Sequence, residues 1–513
     1  MTSANSHSPC PTDDPTDDEA LDVIVIGGGP TGLATATLLG QHGLRVAVVE
    51  RHHDVYPLPR AVHLDDEVYR ILHQLGIGEE FAAHTRPASG LRLLDGRHRE
   101  LATFTRERVT ATGLPQANMF DQPDLERLMR DNLAGLTTVR LLGGHELLRL
   151  DTCSATSVTV HVHRPDGAEA GLRARYVIGC DGAGSTVRRQ LGLGSEDLGF
   201  DQRWLVVDVR CGLDLDAWDG VHQVCDTHRA GTYMRIGPNR YRWEFQLLEG
   251  ETSADFESVP ALRRLIGPWV RRVPDERLTV LKCTEYIFRA RVARRWRADR
   301  VLLAGDAAHV TPPFIGQGLC AGLRDAHNLA WKVAAVLRGH AKPGLLDSYE
   351  AERKPHATTM IRRAKAMGQV MTGGGRIATL ARRRIMPELA RSRVLGRFLL
   401  NSRTPALEPG PRIRRHTPQS VRGALLPLVR LLDAQGELVL IDRVLGDRTM
   451  IVALPGVDLA AVPESLPSAW LTVDLEGNEG ERLLARWLRD AGVGWVRVDP
   501  DRVISAAGPA GVR

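Results

Sequence analysis

The stretch "DVIVIGGGPTGLATATLLGQHGLRVAVVE", residues 22–50, constrains this chain more than any other. "DVIVI" is an unbroken apolar run, as expected of a strand buried on both faces. "LATATLLGQHG" then spaces its apolar residues as a helix does and stops at Gly43, a fitting C-cap. "RVAVVE" reads as the next strand. Strand, glycine turn, helix and strand in that order make a βαβ unit of the dinucleotide-binding kind. Gly27 permits the tight turn, Gly29 lets the backbone approach a pyrophosphate, and Gly32 lets helix and sheet pack closely. Pro30 and Thr31 open the helix, whose positive dipole end favours an anion. Glu50, followed by Arg51, ends the second strand, where a carboxylate can accept from ribose hydroxyls.

Two later segments repeat the strand-then-glycine texture. In "CDGAGSTVRRQLG", Asp181 and Gly182 end an apolar strand, and Ser185 or Thr186 can cap a short helix. Taken alone, that segment reads as an ordinary capped turn. In "RVLLAGDAAHVTPPFIGQG", Asp306 follows Gly305 and can bond sugar or ribityl hydroxyls. Pro312 and Pro313 stiffen the loop, while Gly316 and Gly318 leave backbone N–H groups uncovered ahead of a helix. His309 reads as a satisfied structural histidine.

At 513 residues, two or three domains are expected. The apolar share of 43% and charged share of 25% are those of an ordinary globular protein, and a formal charge of +5 is too small to suggest nucleic acid. The seven cysteines include no CxxC pair and no zinc spacing, so reduced thiols and no metal site are expected. Residues 1–20 read as a disordered acidic tail rather than a targeting peptide. No apolar run reaches the roughly 18 residues of a membrane span, and a cytoplasmic protein is expected.

The expected fold class is α/β. A Rossmann-like nucleotide domain is assigned to 21–200 and 290–375, with a β-rich insert at 200–290. A basic helical linker with eight arginines in 376–403 runs to 420, and a last unit fills 421–513.

Together, "GGGPTG", "CDGAGSTVR" and "GDAAHVTPPFIGQG" resemble the class A FAD-dependent aromatic hydroxylases, the para-hydroxybenzoate hydroxylase-like group. "PRAVHLDDE", "RWEFQLLEGE" and "GLRDAHNLAWKV" are most similar to its 3-(3-hydroxyphenyl)propionate hydroxylases. The resemblance implies that all three segments touch FAD, that Arg60 contacts the cofactor, and that Gln122 meets the ribityl region. It further implies NADH or NADPH as co-substrate and hydroxylation of a phenolic ring by O₂ through a flavin C4a-hydroperoxide. The substrate would be 3-(3-hydroxyphenyl)propionate or a related phenolic acid, or else a larger polyketide-type aromatic. The last unit resembles a thioredoxin-like tail, here without cysteines. A homodimer is a further expectation.

For the substrate pocket, Pro313 and Phe314 are expected to form one wall. On the inserted sheet, Tyr241, Trp243 and Phe245 alternate with Arg240, Arg242 and Glu244, so one face packs and the other meets either the pocket or solvent. Trp243 is taken as a pocket candidate. Arg240 or Arg242 would pair with a substrate carboxylate, and His222 and His63 are candidate phenol partners. Other flavin enzymes compete with this reading, but a disulfide reductase needs a CxxC and a flavin halogenase a WxWxIP, and neither is present. A non-enzymatic flavin sensor is the remaining alternative.

Overall fold

Five parallel strands form the nucleotide-facing half: Val301–Leu303, Glu169–Gly179, Leu21–Ile26, Val46–Glu50 and Val139–Gly143, side by side in that order. The computed structural model describes residues 21–57, 60–106, 113–373, 405–457 and 469–509. The acidic tail and the arginine-rich stretch 376–403 therefore lie outside the described residues. Val23, Ile24 and Val25 are fully buried, so side chains on both sheet faces are covered, which is why "DVIVI" carries no alternation. The helix Pro30–Gln41 is buried from Gly32 to Gly40, enclosed between the sheet and the long helix Gly318–Leu337.

A second sheet of eight strands stands beside the first. Its centre is the antiparallel set Thr279–Ala293, Ser195–Arg210, Arg240–Gln246, Gly231–Arg235 and Val221–Cys225. The sheet is not confined to 200–290. Val221–Cys225 pairs in parallel with Gly90–Asp95, which brings in the hairpin ending at Glu100–Thr105. An exposed edge strand needs a partner, and a segment more than a hundred residues upstream supplies it; no local pattern announces such pairing.

Strand alternation sorts the residues of Arg240–Gln246. Tyr241, Trp243 and Phe245 join Tyr233, Leu262, Ile266 and Trp269 in an apolar cluster under the helix Val259–Ile266. Arg240, Arg242 and Glu244 face the nucleotide half rather than solvent: Arg240 pairs with Asp121, Arg242 donates to the Arg60 carbonyl, and Glu244 lines the cavity between the halves.

The C-terminal unit is a four-stranded sheet ordered Trp470–Thr472, Met450–Ala453, Trp495–Val498, Ile504–Gly508, with the helix Glu479–Asp490 packed on it. It docks on the nucleotide half through buried charge. Asp442 accepts from Arg70 Nε at 2.7 Å and Nη2 at 2.6 Å, and from Arg502 Nε at 2.9 Å. Among the described residues, no helix is long and apolar enough to cross a membrane.

Burial opposes ionisation of Asp442, but Arg70 and Arg502 outweigh it and hold the carboxyl well below the usual range. Its contribution is therefore complete at neutral pH and is lost only as strong acid protonates it. Asp442→Asn strands two buried guanidinium groups, and we expect a cost of about 3–5 kcal/mol, read as a lower denaturant midpoint at pH 7.

Candidate active site

The three glycine turns meet because the strands before them are parallel and end at one edge. Gly27 N donates to Val49 O, Cys180 N to Ile26 O and Ala304 N to Gly179 O, so each turn begins at the same level. Gly27 sits at φ +103°, and a Cβ there would stand 2.5 Å from the Cys180 carbonyl oxygen. At Gly32 a Cβ would collide with the Gly27 carbonyl. These two glycines are required by contact, not by tradition.

The crevice above the turns has a narrow arm of about 190 Å³. Its walls include Gly27, Gly29, Pro30, Glu50, Arg51, Asp181 and Gly182. Glu50 Oε2 accepts from Gly28 N at 2.6 Å, which turns the carboxylate across the mouth of the loop. No side chain caps the helix Pro30–Gln41, so its first N–H groups stay available. Asp181 Oδ2 accepts from Thr186 N and Val187 N, while its Oδ1 is buried without a partner among the described residues. Ser185 is the N-cap of that short helix. An uncapped helix start, a glycine cradle and an orphaned carboxylate oxygen fit the pyrophosphate and hydroxyls of a flavin dinucleotide.

Gly29, Pro30, Arg60, Gln122, Cys180 and Gly182 also border a second, wider arm of about 350 Å³. Thr31, Asp306, Pro313, Phe314, Gly316 and Gly318 line it on the nucleotide side. Gly305, at φ +61°, leaves no room for a Cβ beside Thr31. The helix Gly318–Leu337 likewise begins without a side-chain cap, so its dipole end faces this arm. Gln122 holds the Arg60 loop: its Oε1 accepts from Ala61 N at 2.6 Å and Arg60 N at 3.2 Å. His309 is structural in geometry, 2.6 Å from Asp325, which also receives Gly305 N and Arg353. Phe314 packs edge-on against Phe200 and Trp204.

Several pocket candidates do not reach this arm. Trp243 is fully buried in the cluster on the opposite sheet face. Arg242 is held by Asp208 at 2.7 and 2.8 Å, and Arg240 by Asp121, so neither guanidinium is free for a substrate. His222 spends both nitrogens within the aromatic cluster, on Trp218 O and Trp269 Nε1, and burial holds it down to about 4.

His63 does line the cavity, and Arg106 and Glu244, for which the sequence suggested no pocket role of their own, join it. Burial pushes the Glu244 carboxyl up, with Arg242 and Lys282 opposing. Val221, Thr232, Met234 and Met119 supply much of the remaining wall. Nothing local marks Arg106, which sits in "TRERV" like a surface charge. Glu244 was visible only as one member of an alternating strand.

Residues 20–364 match the FAD binding domain family. The chain is 36% identical to a probable NADH-specific resorcinol 4-hydroxylase of Rhodococcus jostii, over 69% of this chain and 66% of that protein. It is 37% identical to a 3-(3-hydroxy-phenyl)propionate/3-hydroxycinnamic acid hydroxylase of Burkholderia vietnamiensis, over 71% of this chain and 66% of that one. These matches thus span just under two thirds of each relative's length. Among solved structures, an aklavinone-11 hydroxylase in complex with FAD and aklavinone aligns with a TM-score of 0.78 at 27% identity, covering 97% of both chains.

Replacing Gly32 by Ala forces a Cβ into the Gly27 carbonyl and should weaken FAD retention by at least about tenfold, or ~1.4 kcal/mol. Flavin absorbance per purified chain, against free-FAD titration, measures it.

Proposed function

Because this chain belongs to the FAD binding domain family, we propose that it is a flavoprotein monooxygenase that hydroxylates a phenolic ring with reduced nicotinamide and O₂. The preferred substrate in this reading is 3-(3-hydroxyphenyl)propionate or a related phenolic acid. The carrying observation is the 350 Å³ arm, continuous with the nucleotide crevice and walled by Pro313, Phe314, Met119 and Met234. That volume is near the small end of the roughly 300–1,000 Å³ of ligand pockets, and a flavin ring must share it. One aromatic ring suits the remaining space better than a fused polyketide. The polyketide reading is supported by the aklavinone-11 hydroxylase likeness over nearly the whole chain.

The residues divide the work. Gly27, Gly29, Glu50, Asp181 and Asp306 would hold FAD along the crevice. Bound FAD would supply the redox chemistry, hydride acceptance from the reduced nicotinamide and activation of O₂, of which one atom would enter the ring and the other leave as water. Pro313, Phe314 and the methionines exclude water from the reacting face. Glu244 accepts the phenolic proton, which raises electron density on the ring. NADH is the favoured reductant, in line with the resorcinol relative's name. The last unit is read as thioredoxin-like: its strand order, with one parallel and two antiparallel pairings, supports this. Without cysteines it serves docking rather than redox exchange.

Aerobic oxidation of NADH and NADPH by the purified protein tests this reading. We expect oxidation that accelerates on adding 3-(3-hydroxyphenyl)propionate and yields a product carrying one extra oxygen atom. Oxidation indifferent to phenols, with equivalent H₂O₂, would point to an oxidase. Acceleration only with a multi-ring phenol would favour the tailoring alternative.

Glu244→Gln should lower kcat by about a hundredfold or more. Since the base form is needed and burial raises this carboxyl, the wild-type rate should climb with pH across a limb above the ordinary carboxylate range. A pH–rate profile with the limb abolished in Glu244→Gln checks the assignment.

A further inference from the structure

Arg106 enters the wide arm just past the strand Glu100–Thr105. Its Nη1 lies 2.9 Å from His63 Nε2, and its Nε is buried without a hydrogen-bond partner among the described residues. The other His63 nitrogen, Nδ1, lies 3.4 Å from the Gly316 carbonyl, which can only accept. The network therefore assigns the proton to Nδ1 and leaves Nε2 to receive Arg106. Burial, and then the Arg106 charge, hold His63 down to about 4, so the pair carries a single positive charge at neutral pH.

Acidic groups near Arg106 do not neutralise it. Asp65 and Asp66 lie within its field. Asp65 is engaged by Arg324, Gln317 and the Val68 N–H. Asp66 is pushed up to about 7 by burial and by its neighbours Asp65 and Glu67. A desolvated guanidinium facing a cavity without a carboxylate partner among the described residues is costly. An anion arriving in the cavity removes that cost.

We propose that Arg106, oriented by neutral His63, is the specificity residue that binds the anionic arm of an aromatic substrate. Two features favour substrate over cofactor as the anion. The His63 ring stands between Arg106 and the Gly316 turn, and the Arg106 backbone belongs to the second sheet's hairpin, its N–H donating to Ser89 O at 2.9 Å. Two other basic groups of the sheet face, Arg240 and Arg242, are already paired with Asp121 and Asp208. A carboxylate takes two donors of one guanidinium well, and the unpartnered Nε offers one of them. The inference rests on the hydroxylase reading, and it assigns that site an acid-bearing rather than a neutral phenol.

Two matched probes test it: 3-(3-hydroxyphenyl)propionate, and 3-propylphenol, which keeps the ring and arm length without the charge. Each is titrated into FAD-loaded enzyme, with binding read from the flavin absorbance. Wild type should prefer the acid. Arg106→Ala should shrink that preference by about 10- to 100-fold, Arg106→Lys should restore part of it, and flavin content should hold. An unchanged preference, equal loss of both probes, or release of FAD from either variant overturns the proposal. Product analysis is separate: acid-selective binding without hydroxylated product would leave Arg106 standing and sink the hydroxylase reading.

Discussion

Parallel pairing between three chain-distant strands is the constraint on which the site depends. Leu21–Ile26 pairs with Glu169–Gly179, which pairs with Val301–Leu303, in registers that end Ile26, Gly179 and Leu303 at one level. The carboxyl ends of parallel strands are where an open α/β sheet binds ligands. Here that edge gathers the glycine turn at 27–32, the Asp181–Gly182 turn and the Gly305–Asp306 turn. Backbone must approach backbone closely at this edge, and so Gly27 and Gly32 have no space for a side chain.

The wide cavity is a product of packing between two sheets. The second sheet turns one face to its own helix, burying Trp243, Tyr241 and Phe245, and the other to the nucleotide half. On that inner face the charges are mostly consumed by structure. Arg242 joins Asp208 to the Arg60 carbonyl, which fixes a loop shared by both arms of the crevice. Asp325 plays a matching part below, tying Gly305, His309 and Arg353 together under the third turn. Glu244 and Arg106 are among the charged groups this arrangement leaves lining the cavity, Arg106 without an ion-pair partner among the described residues.

The nucleotide half was legible because its signals are local. A strand, a tight turn and a helix start fall within thirty residues at 22–50, and the residue types follow from sterics. The family resemblance extended that reading to Arg60 and Gln122, both of which border the crevice. The pocket was much less legible. Alternation in "RYRWEFQ" separated two faces correctly, but it could not tell which face met the cavity or which charges were already spent. Arg242 and Arg240 looked suited to a carboxylate; Asp208, 34 residues away, and Asp121 had claimed them. His222 was lost to an aromatic cluster that only the folded sheet assembles.

By itself, then, the sequence determined the βαβ start, the flavin-type turns, the strand-rich middle and the cysteine-free last unit, because each is written in residues close along the chain. Tertiary structure alone decided that a hairpin near residue 90 completes the second sheet, that Arg242 is a strut, and that Arg106 and Glu244 line the cavity. Those outcomes depend on which charges find partners across long stretches of chain, and pairing of that kind leaves no trace in local spacing.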